Sequence, residues 1–389
     1  MPSVNTLQGN ETADVVIIGG GVIGLTIARA LALRGVNDVL LLERSSLGAE
    51  SSYAAGGMLA PQAESDSADE FFQLACESRD LYPAFAAALL DETGTDIELD
   101  TTGTLYLAFT EKDQAEIDRR WAWQTRVGLT LERLSSADAR RLEPAIAATV
   151  RGALRFPFDI QVENRRLLTA LIAATEQLGV RLITDAKVES VRIQHDRVTG
   201  VETARGLVCT RRVVVAGGAW TSLLTSSADS NRRLPHVSIE PVRGQMLSFA
   251  AQPPLMRHVI YSPRGYIVPR RDGRLLAGST TEHAGFTKQV TVSGQQTILS
   301  QALEIAPHLG ALRRLDSWAG LRPRAADDLP VLGPCGEIDG LYYATGHYRN
   351  GILLAPVTGE LIAQMITDKI PSPFLTVFGP DRFALLAVP

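Results

Sequence analysis

The stretch that most constrains this chain runs from Asp14 to Glu43. Asp14-Val15-Val16-Ile17-Ile18 reads as a buried strand, Gly19, Gly21 and Gly24 fill a G-x-G-x-x-G turn, and Leu25 to Arg34 reads as a helix closed by Gly35. A second strand, Val39 to Leu42, ends on Glu43. Each glycine has a mechanical reason: the first permits the tight turn, the second lets backbone approach a pyrophosphate, and the third lets helix and strand pack closely. The helix that follows turns free N–H groups and a positive dipole end toward the phosphates. Glu43 lies about 20 residues past the glycines, where a carboxylate accepts hydrogen bonds from ribose hydroxyls and repels a 2′-phosphate. The motif therefore specifies an adenine dinucleotide other than NADP, and leaves NAD and FAD both open.

Composition narrows the chemistry. With 389 residues, 45% of them hydrophobic, the chain can bury a sizeable core and is expected to form two domains. A formal charge of -5 without a dense Lys/Arg block argues against a nucleic-acid partner. No apolar run reaches the roughly 18 residues of a membrane helix, and residues 1 to 13 are polar rather than signal-like. The expectation is a cytoplasmic protein without a membrane partner. Cys76, Cys209 and Cys335 are widely spaced and read as free thiols, and the six histidines lack ligand spacing, so no metal site is expected. Redox chemistry, if present, needs a bound organic cofactor.

Beyond Glu43, Arg44 to Met58 is a run of small residues without helical or strand period; placed just past a ribose-binding strand, it suits a planar cofactor lying against backbone. Asp69 to Thr93 and Glu111 to Val127 read as helices, and Asn164 as the N-cap of a helix running to Leu178. Arg212 to Ala216 reads as a buried parallel strand that breaks at Gly217-Gly218. From Val237 to Gly278 the pattern turns antiparallel, with Asp272-Gly273 as a hairpin turn. Leu341 to Thr345, the polar turn Gly346 to Asn350 and the helix Gly351 to Ile366 repeat the opening strand-turn-helix style far from the N-terminus. A nucleotide domain assembled from separated segments follows.

Val16 to Gly24, the Ser51 to Met58 loop, Tyr266-Ile267-Val268-Pro269-Arg270, Trp318-Ala319-Gly320-Leu321-Arg322-Pro323 and above all Gly346 to Pro356 together resemble the glycine oxidase and D-amino-acid oxidase family of flavoproteins, which includes monomeric sarcosine oxidase. The likeness covers nearly all of the chain after residue 13. It implies an α/β fold: a Rossmann-like FAD-binding domain from segments 1–84, 143–235 and 320–389, and an α+β substrate domain with a largely antiparallel sheet from 85–142 and 236–319. It implies noncovalent FAD. The cofactor contacts would come from Gly19, Gly21, Val22, Ile23, Gly24, Glu43, Arg44, Ser51, Ser52, Ala55, Gly56, Gly57, Met58, Val188, Gly217, His347, Arg349, Asn350, Gly351 and Ile352. Gly351 and Ile352 would present main-chain N–H groups to the flavin C2 carbonyl and N1, where a positive helix end favours the reduced anion.

For substrate, the resemblance places Arg322 and Tyr266 on an amino-acid carboxylate and Arg349 on the amine side. A guanidinium suits the first task, because its planar fork bonds both carboxylate oxygens. Arg322 is expected at a strand end facing a crevice. No side chain is needed as acid or base: a neutral amine's lone pair can drive hydride from the α-carbon to flavin N5, with positioning carrying the rate. His347 is accordingly read as structural, and Arg264 as a solvated turn residue that would matter only if its strand bordered the pocket. The implied activity is oxidation of glycine, sarcosine and short D-amino acids by dioxygen to the keto acid, ammonia or amine, and hydrogen peroxide. The resemblance also implies a homo-oligomer, a tetramer being the expected form, and hand-off of glycine imine to the thiazole-forming enzyme of thiamine biosynthesis. The alternatives are a D-amino-acid dehydrogenase that passes electrons to a quinone, a sarcosine or D-amino-acid oxidase with another preferred substrate, an NAD-dependent dehydrogenase, and a flavin-binding module without catalysis.

Overall fold

Short strands that are apolar at every position can be stable only where both faces are covered, and this chain places several of them side by side. In a computed structural model, which describes residues 11–227, 234 and 237–386, a six-stranded sheet has the order Val331–Pro334, Leu341–Thr345, Val213–Val215, Val15–Ile18, Val39–Leu42 and Arg181–Ile183. All its neighbours are parallel except the first pair, which is antiparallel. The expected assembly from distant segments is thus visible in the strand order itself. Residues 1–10, part of the stretch read as polar and signal-free, lie outside the described residues.

The second large sheet has eight strands: Arg314–Ala325, Ile239–Ala250, Arg274–Gly278, Gly265–Pro269, Val259–Ser262, Thr104–Ala108, Gly152–Phe156 and Glu132–Ser135. One neighbouring pair, Val259–Ser262 with Thr104–Ala108, is parallel; the rest are antiparallel. The turn at Asp272-Gly273 has Gly273 at φ +84°, as a tight hairpin requires. The boundary expected at residue 320 falls inside the strand Arg314–Ala325, and Gly152–Phe156 belongs to this sheet rather than to the parallel one.

Several local readings shift. The first helix, Val22–Leu33, begins inside the glycine motif rather than after it. Asn164 is the first residue of its helix, not the cap: the Glu163 carboxylate accepts from Arg165 N, which frees the Asn164 amide to donate to the Ser52 and Tyr53 carbonyls at 2.8 and 3.1 Å. Within the small-residue loop, Ser51–Ala54 forms a single helical turn.

The helix Glu70–Thr93 is capped by Asp69, whose carboxylate accepts from Phe72 N, and ends at left-handed Gly94. It supports the C-terminal helix Gly351–Thr367 at a weak point. Pro356 has no N–H to offer the carbonyl of Ile352, four residues earlier. Buried Tyr82 donates its hydroxyl to that carbonyl, while Ser78 Oγ donates to the Leu353 carbonyl at 2.6 Å and accepts from Val357 N at 3.3 Å. Two side chains of the neighbouring helix therefore satisfy the broken ladder and hold the N-terminus of Gly351–Thr367 in place.

Candidate active site

Between the two large sheets runs a cleft of about 910 Å³. Every residue expected to hold cofactor or substrate lines it except Gly24, which stands directly behind. The reason is steric: a β-carbon at Gly24 would stand 1.9 Å from the Gly19 carbonyl oxygen, and one at Gly19, whose φ is +113°, would stand 2.4 Å from the Ala216 carbonyl. Removing those side chains lets strand, turn and helix close into a shallow backbone cradle. Glu43 orients the turn, its carboxylate accepting from Gly20 N at 2.7 Å and Ser45 N at 2.9 Å. Ser52 Oγ accepts from Val22 N at 3.0 Å, tying the 51–54 turn to the first helix. Val188 and Gly217 form more of the same wall, and Arg44 stacks 3.6 Å from the Trp220 ring centroid while pairing with Glu50 at 2.5 Å.

Two helix N-termini open onto the cleft, Val22–Leu33 and Gly351–Thr367, and neither has a hydrogen bond from its N-cap side chain. The first-turn N–H groups of a helix have no intrahelical partner, so both ends offer donors and positive potential to a ligand. The residues thus fit a group with a pyrophosphate at one point and an electron-rich, acceptor-bearing ring at another.

The wall opposite Gly351 is the Ala55 to Met58 segment. Gly57 has φ +73°, and a β-carbon there would meet the Val162 carbonyl at 2.1 Å. Behind this backbone sits Arg270, fully buried, donating to the carbonyls of Gly56 at 2.8 Å and Val162 at 2.9 Å and to Asn164 Oδ1 and Gln161 Oε1, both at 3.1 Å. Burial pulls its pKa down to about 10, which leaves it cationic at neutral pH. From the other side the Trp318 indole donates to the Ala54 carbonyl at 3.0 Å and Ser51 Oγ donates to the Leu321 carbonyl. Gly320 makes this docking feasible, since a β-carbon would lie 2.6 Å from that of Ala54.

At the other end of the cleft stand Tyr266, Arg322 and Arg349. Arg322 lies within the strand Arg314–Ala325 rather than at a strand end; its backbone pairs with Val242, and the residue lines the cleft. The guanidinium donates to Ser279 Oγ at 2.7 Å and to the Thr280 carbonyl at 3.1 Å. Among the described residues it has no carboxylate partner, so a half-buried cation faces the cleft with charge to spare. Tyr266 is buried, and its hydroxyl donates to Met246 Sδ at 3.2 Å, a weak acceptor that a carboxylate would displace. Arg349 is differently placed: Glu64 lies 3.6 Å away and Tyr261 OH accepts at 3.1 Å. Glu64, then the Tyr261 oxygen, hold its pKa above the ordinary arginine value.

His347 is buried, its Nε2 is 3.1 Å from Thr358 Oγ1, and burial drives its pKa to about 3. It is a neutral structural imidazole. Arg264 does not border the cleft: it bridges Asp113 at 2.7 Å and Glu304 at 2.9 Å, so it is paired rather than a solvated turn residue. Cys76, Cys209 and Cys335 are free thiols, and among the described residues no group of three or more His, Cys, Asp or Glu could hold a metal. No helix among them is long and apolar enough to cross a membrane. Sequence reasoning missed Glu64 and Met246 as cleft residues, and Tyr261 as a residue behind them that contacts Arg349 and Tyr266. Tyr261 stacks on Tyr266 at 6.4 Å between centroids, and its single sequence signal was its place two residues before a hairpin turn.

Residues 14–365 match the family model described as FAD dependent oxidoreductase. A glycine oxidase from Pseudomonas aeruginosa is 36% identical over 92% of this chain and 95% of its own. A protein of Synechocystis sp. named bifunctional protein ThiO/ThiG is 37% identical over 96% of this chain, which spans 54% of that longer relative. In three dimensions the chain is similar to the crystal structure of glycine oxidase from Geobacillus kaustophilus, with a TM-score of 0.90 at 34% identity and coverage of 96% and 99% of the two chains.

Proposed function

Because the chain belongs to the FAD dependent oxidoreductase family and is an FAD-dependent amino-acid oxidase by its likeness to glycine oxidases, we propose that it oxidises glycine and other small amines that carry a carboxylate, among them sarcosine and short D-amino acids. The observation that carries this reading is the cleft-facing guanidinium of Arg322, without a carboxylate partner among the described residues, beside the weakly engaged hydroxyl of Tyr266.

FAD would be held by the glycine cradle and Glu43 at its nucleotide end and by Ala55 to Met58 with Gly351 and Ile352 at its ring; when bound, it supplies the acceptor for a hydride from the substrate α-carbon and passes the electron pair to dioxygen. The protein's own contributions are positional. Arg322 binds the carboxylate through both oxygens, and Tyr266 adds a second donor to the same group, so the α-carbon is presented in one orientation. Arg349, already neutralised by Glu64, borders the amine side without adding a second free cation. No side chain is asked to take the α-carbon's proton, and His347, neutral and turned toward Thr358, suits that. The amine's own lone pair drives the oxidation to an imine, which water hydrolyses to glyoxylate or the keto acid.

Delivery of that imine to a thiazole-forming enzyme is part of the proposal. It is supported by the relative in which the matching half and a second part share one polypeptide, as its name says. The test is peroxide release in air from glycine, sarcosine, D-alanine, D-proline and D-aspartate, with wild type and Arg322→Ala. Glycine and sarcosine should give peroxide, and the variant should need at least tenfold more substrate. Turnover with a quinone but not with dioxygen would favour the dehydrogenase reading instead.

A further inference from the structure

The segment between the strand Arg274–Gly278 and the helix Val292–Ile305 crosses from the substrate half of the cleft to its nucleotide half. Its base is rigid. Arg243 and Glu282 exchange backbone hydrogen bonds at 2.9 and 3.0 Å, and their side chains form an ion pair. Gln245 Nε2 donates to the same carboxylate at 2.7 Å, and Arg243 Nη1 reaches the Thr287 carbonyl at 3.3 Å. The tip is softer. Phe286, 42% exposed, tilts against Trp220 with centroids 5.9 Å apart, and Lys288 donates to the Ala49 carbonyl at 3.1 Å and Glu50 at 2.9 Å.

These tip contacts land on the nucleotide wall. Glu50 directly precedes the Ser51–Ala54 turn that is tied to the first helix through Ser52 and Val22, and Trp220 carries the stacked guanidinium of Arg44. Phe286, Trp220, Arg44 and Glu50 all line the cleft. A strap with a multiply bonded root, and a tip held, apart from the Thr287 carbonyl, by the exposed contacts of Lys288 with Glu50 and Ala49 and by one half-exposed aromatic contact, has a defined place to open. An exposed pair is screened by solvent and holds weakly.

We propose that residues 282–288 are a clasp over the nucleotide half of the FAD cleft, latched by Lys288 on Glu50 and Phe286 on Trp220, and that opening the latch is the step that lets FAD in and out. The proposal rests on the FAD assignment and is independent of which amine is oxidised. It assigns Phe286, Trp220 and Lys288 a cofactor role that the glycine motif does not supply.

The experiment follows flavin fluorescence as holoenzyme is diluted, and again as FAD rebinds to the stripped protein. Lys288→Ala and Phe286→Ala should each speed FAD release about 2–5-fold, the range an exposed contact supports, and should speed rebinding as well, since a latch slows both directions. Salt should accelerate release from wild type more than from Lys288→Ala, because the ion pair is screened. Lys288→Arg, which keeps the pair, should retain wild-type rates. Faster release with unchanged rebinding would mean a direct contact rather than a clasp. Wild-type rates in both alanine variants, or a Lys288→Arg variant that behaves like Lys288→Ala, would overturn the latch outright. None of these outcomes touches the substrate reading, which the peroxide screen decides by itself.

Discussion

The Arg322 guanidinium lies across the backbone of Gly244 on the neighbouring strand: a β-carbon at Gly244 would stand 2.2 Å from Arg322 Nη2 and 2.4 Å from Cζ. Gly244 pairs with Gly320, so two facing glycines leave room on one face of the sheet for the arginine and, beside it, for the Ser51–Ala54 turn. The cleft-facing cation is thus aimed by an absent side chain.

Gly244→Ala should therefore push Arg322 off its bonds to Ser279 and Thr280. The expected outcome is a KM for glycine raised about tenfold or more, which corresponds to about 1.4 kcal/mol of lost carboxylate binding, with FAD content unchanged. Steady-state kinetics beside the visible flavin spectrum check both halves of the statement.

Tyr266→Phe removes a donor whose resting acceptor is only the Met246 thioether. Little folding stability should be lost. A hydrogen bond to a charged group contributes about 1.5–3 kcal/mol, so the KM for glycine should rise roughly tenfold or more, and the affinity for amines lacking a carboxylate should not move. Equal losses for both classes of amine would show that the hydroxyl does not touch the carboxylate.

His347 predicts a pH dependence of stability. Its folded pKa of about 3 lies below the ordinary value of 6.5, because burial disfavours the imidazolium. The unfolded chain therefore binds a proton that the folded chain refuses. Stability from this group is fully present above pH 6.5 and is lost as pH falls toward 3, at up to about 1.4 kcal/mol per pH unit. Thermal unfolding from pH 7.5 to 5 should show a shallower slope in His347→Gln than in wild type. Activity between pH 6 and 8 should show no ionisation from this residue.

Two glycines with similar backbone angles separate strain from collision. Gly57 has φ +73° and would put a β-carbon 2.1 Å from the Val162 carbonyl, whereas Gly35 has φ +81° and meets nothing within 4 Å. Gly35→Ala should cost about 1 kcal/mol, the penalty for left-handed backbone alone. Gly57→Ala should cost several-fold more and lower FAD occupancy, because the ring-facing loop must shift. Denaturant unfolding and the flavin-to-protein absorbance ratio are the measurements.

The glycine motif was legible because its constraints are local: a turn, a helix start and a ribose carboxylate lie within 30 residues, and each needs a particular residue type. The antiparallel half was legible for the same reason, since alternation and the Asp272-Gly273 turn act between neighbours in sequence. Asn164 was misplaced by one residue because Glu163 also caps, and the competing demand came from Arg270 and the Ser52 carbonyl, more than 100 residues away in each case. Arg264 reads as a solvated turn residue from its place after Pro263, yet Asp113 and Glu304, both distant in sequence, pair with it.

By itself, the sequence determined that the chain holds an adenine dinucleotide at a strand-turn-helix, since that outcome follows from φ angles and close backbone approach within one short segment. The tertiary structure alone decided which of two cleft arginines is paired with a carboxylate among the described residues. Arg322 and Arg349 are alike as residues, but Glu64, brought in from a four-residue helix, pairs with Arg349, while among the described residues Arg322 donates to a hydroxyl and a carbonyl. Charge compensation acts over a few ångströms in space and carries no signature along the chain.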